Sequence, residues 1–135
     1  MDSIKVKMPV TIKAKLTEKL KKRIIDDLTK NIEQVNLELQ QIDIEEKRVI
    51  NEQAQNNLQN LQAIRQHFGI ERQKREEFKV EAEHKLEDTK KLAIGAEIIQ
   101  GTLEHLVELK VGSNMRELMN IEVLVEDDII VAIRS

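Results

Sequence analysis

Apolar residues occupy alternate positions along the first segment of the chain. Ile4, Val6, Met8, Val10, Ile12 and Ala14 share one side, with Lys5, Lys7, Thr11, Lys13 and Lys15 on the other. A period of two predicts a half-buried strand over 4–14. Pro9 falls on the polar side and has no N–H to give a ladder, which places it at a sheet edge or a bulge. Thr17 follows as a candidate N-cap, its hydroxyl able to accept from the first free amides of a helix. From there to Leu92 the chain holds no proline and one glycine, and the apolar spacing changes. Leu28, Ile32, Val35, Leu39 and Ile42 recur at intervals of four, three, four and three, the seam of a coiled coil. The helical region is predicted over 17–93, with Gly95 as its C-cap and Lys90 and Lys91 facing the negative end of the dipole. The period then returns to two at Val107, Leu109 and Val111. Gly112-Ser113 predicts a turn, Asn114 caps a short helix over 115–119 with Glu117 as its reciprocal partner, and Ile121, Val123 and Val125 form a strand. Asp127-Asp128 reads as a tight hairpin that Ile129, Val131 and Ile133 close.

These elements predict an α+β fold: a long antiparallel coiled-coil helical hairpin projecting from a small antiparallel β body formed by both termini. The expected parts are an N-terminal strand over 1–16, a helical arm over 17–93 and a C-terminal β body over 94–135. Equal arms require a tip near 54–57, where Asn and Gln cluster. That tip pairs Ile24 with Leu86, Leu28 with Ala82, Ile32 with Phe78, Ile42 with Phe68 and Ile50 with Leu61. A rival tip at Phe68-Gly69 matches side chains as well but leaves arms differing by roughly 40 Å at 1.5 Å per residue. One unbroken helix, completed by an antiparallel partner's strand, is the third arrangement. Geometry favours the first.

Composition narrows the picture. Of 135 residues 35% are charged, and the aromatics are Phe68 and Phe78 alone, too few for a conventional packed domain along the whole length. There is no cysteine, which removes disulfides, thiolate metal sites and cysteine nucleophiles. No window approaches the length of apolar chain that spans a membrane, and residues 1–16 lack the continuous apolar run of a signal peptide. A cytoplasmic protein without membrane contact is the expectation. The net charge of −3 is unevenly placed. Residues 1–30 carry nine Lys/Arg against four Asp/Glu, whereas residues 92–135 carry three against eight. Opposite signs favour the two ends pairing with each other.

Two stretches have a further significance. The run from Val107 through Met119 (VELKVGSNMRELM), continued from Ile121 to Arg134 (IEVLVEDDIIVAIR), resembles the tail of the YlqD-like family of uncharacterised bacterial proteins. Val10 to Glu18 (VTIKAKLTE) resembles that family's start, and Ile98 to Gly101 (IIQG) its lead into the sheet. Gly112-Ser113 stands where the family pattern has Gly-Asp, and Asp127-Asp128 where it has Asp-Gly. The family has no established activity, so the resemblance implies no catalytic or ligand-binding residues. Its gene neighbourhoods hint at ribosome maturation.

The residues that carry chemistry are few. Glu81 and His84 lie one helical turn apart, but di-metal bundles need that motif twice, and His67 and His105 supply no second copy. They read as polar residues on a charged helix, and no metal or cofactor is implied. Glu71–Arg75 and Glu81–Lys85 read as ion pairs along a solvated helix. The serines are Ser3, Ser113 and Ser135, the glycines are scattered, and Asp26-Asp27 and Glu76-Glu77 lie on helix surface. Catalysis is not expected. Lys5, Lys7, Lys13, Lys15, Lys19, Lys22 and Arg23 form a candidate phosphate or RNA contact. Lysine is equally the residue that keeps an edge strand from pairing with strangers, and no aromatic base-stacking platform accompanies it.

The expected function is therefore a non-catalytic interaction or scaffold protein that self-associates or binds a protein partner. Its seam consists of Ile24, Leu28, Ile32, Val35, Leu39, Ile42, Phe68, Phe78, Ala82 and Leu86. An RNA- or ribosome-associated factor and a holdase-type chaperone are the alternatives. The polar stretch 51–60 counts against the chaperone.

Overall fold

The structure, a computed structural model, describes residues 1–53 and 58–135. Its elements in chain order are β1 (Ser3–Lys15), α1 (Glu18–Gln53), α2 (Leu58–Lys91), β2 (Glu97–Lys110), α3 (Met115–Met119), β3 (Glu122–Glu126) and β4 (Ile129–Arg134). The class is α+β. The chain divides into two compact units: residues 1–22 with 92–135, and residues 23–91.

The first unit is a four-stranded sheet in the order β2-β1-β3-β4. β1 and β2 form a long antiparallel pair from Ser3↔Lys110 to Lys15↔Glu97. Beyond the ladder, the Leu16 N–H donates to Ala96 O, and the Gly95 N–H donates to Leu16 O, both at 2.7 Å. Contrary to the expectation from spacing, Gly95 does not cap the helix. α2 ends at Lys91, and Gly95 (φ +94°) sits at the third position of a turn closed by the Ala96 N–H on Ala93 O. That position needs a positive φ, which glycine adopts without strain.

The sheet is mixed rather than wholly antiparallel, because β1 and β3 run parallel over Thr11–Ala14 and Glu122–Val125. Alternation specifies which face a residue takes but says nothing about the direction of the neighbouring strand. This arrangement also resolves Pro9. β1 is a middle strand, yet β3 pairs with it only from Thr11 onward. The Thr11 N–H donates to Ile121 O on the β3 side at 3.1 Å. Two residues earlier, the donor-less nitrogen of Pro9 points the same way, where β3 supplies no partner strand.

β3 and β4 are joined by the two residues Asp127 and Asp128, at φ +45° and +68°. This is the tight hairpin the sequence predicts, built with two aspartates in a conformation that favours Asn-Gly. Asn114 caps α3, its side chain accepting from the Arg116 N–H at 3.0 Å. Thr17 caps α1 by accepting from the Leu20 N–H at 3.1 Å. Its hydroxyl donates to Asp127 Oδ1 at 2.7 Å, holding the acidic turn at the positive end of the helix. Val10, Ala14, Leu16, Leu20, Val107 and Leu124 are buried in this unit, Leu16 most completely at 1% exposure.

The second unit is a helical hairpin. Arg72 reaches Asp43 at 3.0 Å and Glu46 at 2.8 Å, and Arg75 reaches Glu38 at 3.5 Å. Partners fall in α1 as they rise in α2, so the helices lie side by side and antiparallel. The expected tip at 54–57 lies outside the described residues. Phe68-Gly69 is interior to α2, which removes the rival tip, and a Cβ on Gly69 would meet nothing within 4 Å.

Candidate functional site

The basic strand and the helical seam are the two places where the sequence carries candidate function. On β1, Lys5, Lys7, Lys13 and Lys15 share one face with residues of β2 and β3 that the linear pattern does not pair with them. Lys5 lies opposite Glu108 and Lys15 opposite Glu97. Lys13 forms an ion pair with Glu122 at 2.7 Å. Glu122 also accepts from Arg134 Nε at 2.9 Å, and Arg134 grips both carboxylate oxygens of Glu97. Lys13, Glu122, Arg134 and Glu97 thus form one network tying β1, β2, β3 and β4 together.

Its electrostatics follow from its geometry. Hydrogen bonds from Lys13 and then Arg134 hold the Glu122 carboxyl below the usual carboxylate range. The bond from Arg134 does the same to Glu97, and the two carboxylates push the guanidinium pKa up. Such a cluster binds the ends of the chain together, and it spends part of the positive charge that a phosphate would need. Among the remaining candidates, Lys5, Lys7, Lys15, Lys19 and Lys22 are exposed in the sheet unit, while the exposed Arg23 opens the helical unit.

The sequence reading missed Glu97, Glu122 and Arg134. The opposite charge of the two chain ends signals that such pairing exists. Which carboxylate meets which cation depends on register, which charge counts do not carry.

In the helical unit the seam is only partly closed. Val35 and Ala82 are buried. Ile24, Leu28, Ile32, Leu39, Ile42, Phe68 and Leu86 are half-buried, and Phe78 is 47% exposed. Phe78 lines an open groove with Asn31, Gln34, Val35, Glu38, Lys74 and Arg75. Ile42 and Phe68 line a second groove. Away from the seam Leu37, Ile44, Ile70 and Val80 are exposed as well. Glu71 pairs with Arg75 one turn on, and that hydrogen bond lowers the Glu71 pKa. Among the described residues no group of three His, Asp or Glu side chains is placed to hold a metal ion, and no helix is long and apolar enough to cross a membrane.

The family model described as "YlqD protein" matches residues 4–134. The chain is also similar to a solved crystal structure of a protein of unknown function from Synechococcus sp. WH 8102. The two share 25% identity with a TM-score of 0.87, and the match covers 100% of each chain. No curated protein matches.

Proposed function

This chain belongs to the YlqD family, and on that footing we propose that it is a non-catalytic interaction or scaffold protein that works in the cytoplasm and self-associates through its coiled coil. The observation that carries the reading is the open seam. A residue between two helices has a neighbour on one side and water on the other, so a hairpin alone buries little. Here Phe78 stands 47% exposed in a groove also lined by the buried Val35, and on a different face of α1 Leu37 and Ile44 lie seven residues apart, both exposed. Apolar side chains at that spacing suit another helix pair laid alongside.

Sedimentation velocity of the full chain over a range of concentrations tests this. A mass above the monomer is expected, reduced by Leu37→Glu with Ile44→Glu while far-UV circular dichroism is unchanged. A wild type that stays monomeric at every concentration rejects self-association. The competing nucleic-acid reading requires salt-sensitive co-sedimentation with RNA that fails when Lys5 and Lys7 become glutamate. We expect no such binding, since Lys13 is already held by Glu122.

A further inference from the structure

The sheet has two edges, β2 and β4, and they are guarded very differently. β2 carries Glu97, Glu104, Glu108 and Lys110 along its length and is broken by a bulge at Gln100, opposite the Ile12–Lys13 step. Charges and bulges are the devices that stop an edge from accepting another strand. β4 reads IIVAIR, with no charge before Arg134. Ile129, Ile130, Val131 and Ile133 are 67%, 61%, 49% and 71% exposed. Its one guard is a bulge at Val131, which β3 leaves unopposed. A short aliphatic edge exposed on both faces is costly in water unless something covers it.

The charges around β4 identify the cover. Its leading end is the acidic turn Glu126-Asp127-Asp128 and its trailing end is Arg134. A second β4 laid parallel sets acid against acid. Laid antiparallel, each acidic turn meets the other copy's arginine. Arg134 can take part without giving up its own partners. Glu122 and Glu97 occupy three of its N–H donors, and a guanidinium has five.

We propose that β4 is an isologous interface at which two copies of this chain pair edge to edge and antiparallel, each copy's acidic turn meeting the other's Arg134. This rests on the self-association reading and adds to it a second, separate interface. Two different two-fold contacts per chain build an assembly larger than a dimer.

Sedimentation velocity and light scattering on the full chain test the proposal through three variants. Ile133→Lys places an edge lysine at a position 71% exposed, and it should halve the particle mass while leaving the far-UV spectrum unchanged. Ile99→Lys, equally exposed but on β2, should leave the mass as it is. Leu37→Glu with Ile44→Glu should halve the mass independently, and its combination with Ile133→Lys should give monomer. A mass that falls with the helical variant but not with Ile133→Lys overturns the edge interface and keeps the coiled-coil reading. A dimer that Ile133→Lys splits, and the helical variant leaves intact, keeps the edge interface and overturns the coiled coil. An equal drop with Ile99→Lys overturns the edge interface, because any added lysine would then suffice, and so does a wild type monomeric throughout.

Discussion

The sheet unit buries Val10, Ala14, Leu16, Leu20, Val107 and Leu124, whereas the helical unit buries Val35 and Ala82 among its described apolar residues. Both units are rich in aliphatic side chains, so composition does not explain the contrast. Geometry does. β1 has β2 along one side and β3 along part of the other, and Leu16 and Leu20 continue the same buried set into the start of α1. A seam residue on α1 has only α2 to lean on, and half its surface remains wet. Ion pairs from Arg72 and Arg75 fix the pairing of the helices without removing apolar area from water. Such solvent-screened pairs are individually weak. The sheet unit is therefore stabilised by its own core, and the hairpin keeps apolar surface exposed.

The sharpest way to break that comparison is to delete one leucine from each unit. Leu16→Ala should cost about 3 kcal/mol, within the ordinary range for a fully buried leucine. Leu28→Ala, at a half-buried seam position, should cost about half as much, because less area returns to water. Denaturant midpoints give the totals, and amide hydrogen exchange locates the loss on β1 or on α1. Equal costs would mean that the hairpin is as well packed as the sheet and has no surface to spare.

A smaller effect, in the opposite direction, is expected at the β3–β4 turn. Asp128 holds φ +68°, a conformation that costs an L-residue roughly 1–2 kcal/mol and glycine almost nothing. Asp128→Gly should therefore stabilise the sheet unit by about 1 kcal/mol, slightly offset by the freer unfolded chain. Asp127→Gly relieves similar strain but removes the acceptor for Thr17, so its gain should be smaller. If neither glycine raises the midpoint, the turn is not under strain.

How far the sequence discloses each unit follows from the same contrast. The alternation from Ile4 to Ala14, the cap at Thr17, the α3 helix after Asn114 and the hairpin at Asp127-Asp128 are all local patterns, and all are legible. The alternation of β2 is legible only in its last residues, Val107 to Lys110. The longer part, Glu97 to Leu106, passes through the bulge at Gln100, which flips the phase so that Ile99 and Gly101, two residues apart, fall on opposite faces. The parallel seat of β3 beside β1 and the Glu97–Arg134–Glu122–Lys13 network are facts of register between separate segments, 12 residues apart for Glu122 and Arg134, 37 for Glu97 and Arg134, and about 110 for β1 and β3. No periodicity encodes them. In the helices the heptad pattern identifies the seam residues but not how completely they are covered. The exposure of Phe78, on which the functional proposal leans, is visible only in the structure.

The smallest expected effect concerns acid. Glu122 and Glu97 titrate below the ordinary carboxylate value of 4.5 because Lys13 and Arg134 bond to their charged forms. A carboxyl whose pKa is lower folded than unfolded stabilises the fold above its unfolded value. That stabilisation is complete at neutral pH and fades as the pH falls below about 4.5 toward the depressed values. The helical unit has such groups too, but Glu71 and Glu45 are held by Arg75 and Arg48 three or four residues away on their own helices. Those local pairs also form in a helix that has lost its neighbour, so their protonation does little to separate the helices. Protonating Glu122 loosens three strands at once. Hydrogen exchange followed from pH 6 to 3 should show β1, β3 and β4 amides losing protection relative to α1 and α2. Glu122→Gln should flatten that acid limb, since an amide cannot titrate, while lowering protection somewhat at neutral pH. If Glu122→Gln leaves the acid limb as steep as in the wild type, the network is a surface decoration, and the sheet unit owes its cohesion to its apolar core alone.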